Sequence, residues 1–427
     1  MKKFIKYFKK DNFSEDELSS DDEETISENI VGKLYNNIYI VLKYIGRGTF
    51  CRVWLVYSIY DYEYYAMKIY SYDCISIANQ ECKMLNIINN YNHNITKCFD
   101  YFFSKDKNNT NIYYIYELLG PDIINLQLKY TYGLPISYVK KIVKDTLQGL
   151  KYLHKLKIIH TDLKVENILQ TTYSLEIKKV IDWFENINPN KILTSYLNIK
   201  IPKHSSMSIR KQLRRKEKHE SIKKLLKIVK EYYNNSDFTK NKFYESYDES
   251  MNEIFIKDEE CLDDFKICDF GNSCLQDNHI SNEIQTLQYR SPEVIMGIGY
   301  DTSCDIWSLG CIIFELIIGN YLFYPERSSK KINRDRKHIA LMIEILGDIP
   351  ENMKLNTRKK IFNSKGKIIK YNKRIVPKSL KKILSRRKDL SKEEIYLISD
   401  LLKKMLNYDW KNRISAEKCL NHKWLIN

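Results

Sequence analysis

Two short polar motifs constrain this chain more than anything else in it. They are HTDLKVEN at 160–167 and KICDFGNS at 266–273, each set between apolar segments. In the first, Asp162, Lys164 and Asn167 follow LKYLHKLKIIH and precede Ile168 and Leu169. An acid and an amide at this spacing also occur in ordinary turns. Flanks this apolar instead describe a loop pinned between buried elements, with its polar side chains held for use. The second motif adds Asp269 just after a short apolar run. Carboxylate and amide oxygens are the donors that a hard divalent cation takes.

Upstream, the pattern is one of short strands with a single helix, from Tyr39 to Tyr116. IGRGTFCRVWLVY places Gly46 and Gly48 between alternating apolar runs, as in a strand–turn–strand whose backbone N–H groups can approach phosphate. Cys51 stands where a third glycine would strengthen that reading, and alone the segment is a plain hairpin. On the strand YYAMKIY, Ala66 and Lys68 share a face. In SIANQECKMLNIINN, Ile77, Met84, Leu85 and Ile88 form an apolar helix face, and Glu81 lies beside it, placed to pair with Lys68. As an exposed pair this would contribute under about 1 kcal/mol, so its use is expected to be positional. From Ile124 onward helical periodicity dominates. YDTSCDIWSLGCIIFELIIG is apolar nearly all round and is expected to be a buried helix.

In order and spacing these motifs resemble the signature set of the protein kinases. The resemblance covers about residues 39–427, less an insert. GRGTFCRVWL, IIHTDLKVENIL, EIQTLQYRSPEVIMGIGYDTSCDIWSLGC, GNYLF and HIALMIEILG resemble the SR-protein kinases, which phosphorylate serines in Arg-Ser repeats of splicing factors. The LAMMER kinases, which share His-Thr-Asp, are the next nearest, and a pseudokinase scaffold is the further alternative. The resemblance implies an α+β, two-lobed protein-kinase fold: a small antiparallel β-sheet lobe plus one helix at 35–117, and a large mainly helical lobe at 118–427. Residues 171–264 interrupt the large lobe as a spacer insert. Residues 1–34 are read as a charged, disordered leader.

It also implies the site. ATP and Mg²⁺ are the expected cofactors, with Lys68 reaching the α- and β-phosphates and Glu81 orienting it. Asp162 takes or orients the substrate hydroxyl proton, Lys164 bridges to the γ-phosphate, and Asn167 and Asp269 hold the metal. Thr286 ties the substrate-binding loop to Asp162 and Lys164. The nucleotide would be lined by Ile45, Gly46, Arg47, Gly48, Val53, Ala66, Tyr116 as gatekeeper, Glu117 and Leu119 of the hinge, and Leu169. Phe270 would pack between the lobes, Asp305 would bond back to the catalytic-loop backbone, and Arg413 would pair with Glu293. Thr161 replaces the Arg that clamps an activation-loop phosphate in most kinases. Activity without that phosphate is therefore expected.

Lys164 is the residue of serine/threonine rather than tyrosine kinases. Substrates are expected to be basic, Arg/Ser-rich proteins, with a role in regulating mRNA splicing. The family grips such substrates with acids at three groove positions; here these are Asn320, Lys337 and Glu344, so long Arg-Ser tracts should be poorly retained. The insert is expected to be regulatory or localising and dispensable for catalysis.

The formal net charge of +16 raises the question of an anionic partner. The lysines are dispersed through the whole chain, and direct nucleic-acid binding is not expected, although a basic segment, SIRKQLRRKEKHESIKKLLKIVKEYY, carries Ile222, Leu225, Leu226 and Val229 at helical spacing. The 10 cysteines form no CxxC pair, which points to free thiols. The leader lacks the apolar stretch of a signal peptide, and no run is long and apolar enough to span a bilayer. A monomer of the cytoplasm and nucleus is expected.

Overall fold

The computed structural model describes residues 30–48, 51–89, 92–106, 109–130, 132–199, 201, 205–235, 263–325 and 330–426. Residues 1–29 of the leader and the acidic run through Glu260 lie outside them. In the small lobe, β1 (Leu34–Tyr35), β2 (Tyr39–Arg47), β3 (Cys51–Ser58), β4 (Tyr64–Tyr70), β5 (Cys98–Asp106) and β6 (Asn109–Glu117) form one antiparallel sheet in the order β1-β2-β3-β4-β6-β5. Their aromatic and β-branched residues suit a pleated, half-buried surface. Helix α1 (Ile75–Ile88) covers one face and buries Ala78, Glu81, Met84, Leu85 and Ile88. The lobe begins earlier than expected: Ile30 and Val31, assigned to the leader, are buried in its core because Gly32 and Lys33 hydrogen-bond to the backbone of Val41.

The large lobe follows with α2 (Ile123–Gln127) and α3 (Ile136–Lys155). Along α3, Val139, Ile142, Val143, Thr146, Leu147, Leu150 and Leu153 are buried, at the spacing of one helix face. Gly149 lets α3 approach closely, since a Cβ there would lie 3.1 Å from the Asn94 carbonyl and 2.8 Å from Ile267. Then come β7 (Ile158–Ile159), β8 (Ile168–Gln170), and the spacer helices α4 (Leu175–Asn186), α5 (Pro189–Thr194) and α6 (Met207–Asn235). Beyond the spacer, β9 (Phe265–Ile267) pairs with β8, and β10 (Cys274–Leu275) pairs with β7. Helices α7 (Pro292–Met296), α8 (Ser303–Ile318), α9 (Lys331–Leu346), α10 (Glu351–Asn356), α11 (Leu380–Leu384), α12 (Lys392–Met405), α13 (Ala416–Leu420) and α14 (Lys423–Ile426) complete the lobe. Helix α8 is buried from Cys304 to Ile317, as its all-round apolar sequence requires. No described helix is long and apolar enough to cross a membrane.

The spacer is not an appendage. Phe184 of α4 has no exposed surface and its ring lies 4.9 Å from that of Tyr57 on β3 and 6.3 Å from Tyr64 on β4. Around it, Lys43 donates to Glu176 at 3.1 Å, Tyr64 to Glu185 at 2.5 Å, and Tyr57 to Asn190. Leu225 and Val229 of α6 are buried and Trp183 stacks on Tyr232 at 3.5 Å, which accounts for the helical spacing seen in the sequence. By contrast, every residue from Met207 to Glu220 is exposed. The expectation of a dispensable insert is therefore corrected for α4–α6, which close the back of the small lobe. Phe184→Ala should destabilise the protein by about 3–5 kcal/mol, the usual cost of emptying a buried aromatic site. Urea unfolding measures this, and a loss below about 1 kcal/mol would mean the ring is not packed as described.

Candidate active site

Strand β4 brings Lys68 beneath α1, and the two elements bury an ion pair rather than exposing it. Lys68 Nζ lies 2.9 and 3.0 Å from the Glu81 carboxylate oxygens and 2.9 Å from Asp269 Oδ1. Lys68 is 8% exposed and Glu81 not at all, so the exposed-pair valuation does not apply. Removing either partner would strand a buried charge. Burial alone would push the Lys68 ammonium down, but Asp269 and Glu81 hold it well above its ordinary value. Partial burial would raise the Asp269 carboxyl, and Lys68 outweighs it, holding the group below the usual carboxylate range. Two tyrosines join this cluster, Tyr70, which the sequence did not single out, and Tyr116, expected there only as gatekeeper: Tyr70 donates to Glu81 Oε2 at 2.6 Å and Tyr116 to Glu81 Oε1 at 2.8 Å.

The catalytic loop leaves β7 at a sharp turn in which Thr161 takes φ +69°. Asp305, wholly buried on α8, accepts from the backbone N–H groups of His160 (2.9 Å) and Thr161 (3.1 Å) and bonds His154 Nε2 at 3.0 Å. The Asp162 carboxylate then receives the Thr286 N–H at 3.1 Å and hydroxyl at 2.7 Å, both on Oδ1, while Lys164 Nζ sits 3.3 Å from Oδ2. Asn167 donates its amide to the Asp162 carbonyl at 2.8 Å. Phe270 is buried with its ring edge-on to His160. Glu293 and Arg413, both with fully buried side chains, form two hydrogen bonds of 2.7 and 2.9 Å at the foot of the segment.

The residues expected around a nucleotide lie along the opening between the lobes. Gly46 pairs with Val53, Val53 with Lys68, and Ala66 with Tyr116 in the sheet register. Ile45 and Val53 are half-buried and Arg47 is exposed. A Cβ at Gly48 would lie 2.7 Å from Cys51 Sγ, so the cysteine at the third glycine position fills space that Gly48 leaves open. Leu118 and Leu119 are buried, and Leu169 of β8 bridges to Asp122. The hinge acid Glu117 is already engaged: Lys266 Nζ lies 2.6 Å from Oε2 and the Lys97 N–H 2.7 Å from Oε1.

Two further acids were missed in the sequence because nothing local marks them. Glu166, in the loop after Asp162, has a buried Oε2 with no hydrogen-bond partner. Glu315 on α8 is pushed up to about 7 by burial, with the neighbouring Glu166 carboxylate adding to the effect. Tyr289 donates to it at 2.7 Å.

The protein kinase domain family matches residues 39–184 and 248–425, leaving out the first 38 residues, the middle of the spacer and the last two residues. The Physarum polycephalum serine/threonine-protein kinase SRPK is 30% identical, over 92% of this chain and 87% of its own length. A putative serine/threonine-protein kinase of Acanthamoeba polyphaga mimivirus is 29% identical over 99% and 93% of the two chains, and mouse SRSF protein kinase 3 is 26% identical over 92% and 87%. A crystallised kinase domain superposes with a TM-score of 0.62 at 25% identity, covering 92% of this chain and 97% of the other. The chain belongs to the protein kinase family, in its SR-protein kinase branch, and is a serine/threonine protein kinase.

Proposed function

We propose that this kinase transfers the γ-phosphate of ATP, with Mg²⁺, to serine or threonine hydroxyls that lie beside basic residues of protein substrates, and that it does so without a phosphate on its own activation segment. One observation carries the reading: Asp162, Lys164 and Thr286 converge at 2.7–3.3 Å, with Lys68 and Asp269 joined across the cleft. Thr286 and Lys164 leave the Asp162 carboxylate little freedom, so an incoming hydroxyl meets an oxygen already in place. Lys68 keeps its charge and is available to the α- and β-phosphates. Asp269 has a side chain 39% exposed, and Asn167 commits its nitrogen to Asp162 and so offers its carbonyl oxygen. Two such oxygen ligands, supplemented by phosphate and water, suit Mg²⁺. The ion, when bound, neutralises charge on the transferring phosphoryl group.

Independence from phosphorylation is supported by how the activation segment is held. The Thr161 hydroxyl donates to the Asn272 carbonyl at 2.8 Å, and the Ser273 hydroxyl to the His160 carbonyl at 3.1 Å. Further on, Gln285 binds the Cys304 carbonyl, Ser308, Ser291 and Arg290 through its side chain and carbonyl. These contacts join hydroxyls, amides and backbone carbonyls and, Arg290 apart, involve no charge.

Basic substrates are supported by Glu166 and Glu315. A buried carboxylate oxygen without a donor is costly, and a substrate guanidinium or ammonium would satisfy it. The names of the relatives, an SRPK and an SRSF protein kinase, point to Arg/Ser-rich proteins. In the outer groove Asn320 is uncharged, and Glu344 already pairs with Lys378 at 2.5 Å. Recognition of a basic residue next to the acceptor is therefore favoured over retention of long Arg-Ser tracts.

Asp162→Asn should lower kcat by at least about a hundredfold while ATP affinity stays within a few fold; Asp269→Ala should lose Mg²⁺-dependent nucleotide binding as well. An Asp162→Asn enzyme of near-parental rate would refute the assignment. Phosphatase-treated protein should keep most of its kcat, and a large loss restored by autophosphorylation would show the opposite. Glu315 gives a pH signature. Below about 7 it holds a proton, so raising the pH adds a negative charge beside Glu166. The KM for an Arg-containing peptide should fall between pH 6 and 8, whereas that of an Arg-free control peptide, or of Glu315→Gln on either peptide, should not.

A further inference from the structure

The Glu81 carboxylate is buried at zero exposure and takes four hydrogen bonds. Two come from Lys68, whose ammonium is shared with Asp269. The other two come from phenol groups of the sheet: Tyr70 at the end of β4 and Tyr116 near the end of β6. Tyr70 is 1% exposed and Tyr116 8%, so water does not substitute freely for either hydroxyl. The strands are paired neighbours, with Tyr70 opposite Ile112 and Ala66 opposite Tyr116, and this fixes the two phenols on either side of Lys68. A third phenol of the same sheet, Tyr114, donates to the Ala78 carbonyl of α1 at 2.7 Å. The Lys68 ammonium also lies 4.8 Å from the centre of the Tyr70 ring.

A lysine shared between two carboxylates is a weak anchor for either, because each competes for the same cation. When phosphate arrives, Lys68 acquires a third acceptor. Donors that bind Glu81 independently of Lys68 ease this competition. We propose that Tyr70 and Tyr116 are positioning residues, whose hydroxyls brace Glu81 against the sheet so that the Lys68–Glu81 pair stays assembled as Lys68 turns to the nucleotide. Burial pushes both phenols far above their ordinary titration range, so each remains a neutral donor throughout the working pH range. The role of Tyr116 is then more than filling space behind the nucleotide. Its hydroxyl belongs to the catalytic scaffold, and the sheet holds α1 inward through these phenols, beside the hydrogen bond of 2.8 Å that Gln80 of α1 donates to the Ser273 carbonyl of the activation segment.

The inference rests on Lys68 and Glu81 serving the nucleotide, and the experiment separates the two claims. Steady-state kcat and ATP KM are measured on the full chain for Tyr70→Phe, Tyr116→Phe and the double variant, in the parent and in a Glu81→Gln background, with thermal melting in parallel. Each single variant should lower kcat by about threefold or more, the pair by about tenfold, with ATP KM rising less than kcat falls. In the Glu81→Gln background the same substitutions should change kcat by less than about twofold, since the acceptor has already been altered. Phe keeps the ring, so packing alone predicts parental rates for the Phe variants and losses only for Tyr116→Leu. That result, or equal losses with and without Glu81, overturns the proposal while leaving the ion-pair reading intact. A Glu81→Gln enzyme with parental kcat and ATP KM overturns both.

Discussion

Asp305 is the group on which the rest of the cleft depends. It has no exposed surface, and its two oxygens hold the backbone of the catalytic loop at His160 and Thr161. The turn it stabilises puts a β-branched residue at φ +69°, a conformation that costs about 1–3 kcal/mol unless its surroundings enforce it. Charge-assisted hydrogen bonds inside a buried helix supply that enforcement. They do so from a helix that is buried along nearly its whole length and anchored at its start, where Arg413 lies over Trp307 while bridging Glu293 and the Ser303 carbonyl. A polar loop is thus aimed by a nonpolar helix. The Thr161 side chain then extends the same logic outward to the activation segment.

The two lobes meet through lysines that each reach a carboxylate across the cleft. Lys68 joins Glu81 of the small lobe to Asp269 of the large one, and Lys266 joins β9 to the hinge acid Glu117. Each arrangement offsets the desolvation of its charges only because neighbouring donors complete it. Tyr70 and Tyr116 do so for the first, and the Lys97 N–H for the second.

What the sequence revealed and what it hid follow from chain distance. Lys68, Glu81, Asp162, Asn167 and Asp269 were legible because each sits in a short motif whose neighbours announce a strand, a helix or a pinned loop. The burial of α8 was legible because its apolar residues cover every face. Glu117 with Lys266, and Glu166 with Glu315, were not, because each pair joins segments about 150 residues apart with no local pattern to mark it. The bonds from tyrosines to Glu81 were hidden for another reason. Tyr116 was read only as a gatekeeper beside the nucleotide, and in a chain with 33 tyrosines only the strand register shows which hydroxyls converge. The spacer was misjudged because motif content was taken as the measure of importance. Phe184 carries no chemistry and yet fills the space behind β3 and β4.

The pairing of β8 with β9 has a consequence for how the spacer can change over time. Gln170 stands opposite Phe265, and Leu169 opposite Lys266, so both ends of the insert are tied together at the floor of the cleft. The entropy of closing such a loop grows only with the logarithm of its length, and doubling it costs about 0.6 kcal/mol. Residues added between α6 and β9 therefore barely disturb the position of Asp269, whereas one substitution at Phe184 would. Length in this part of the chain is thermodynamically inexpensive and free to drift, while the few side chains of α4–α6 that touch the small lobe are not.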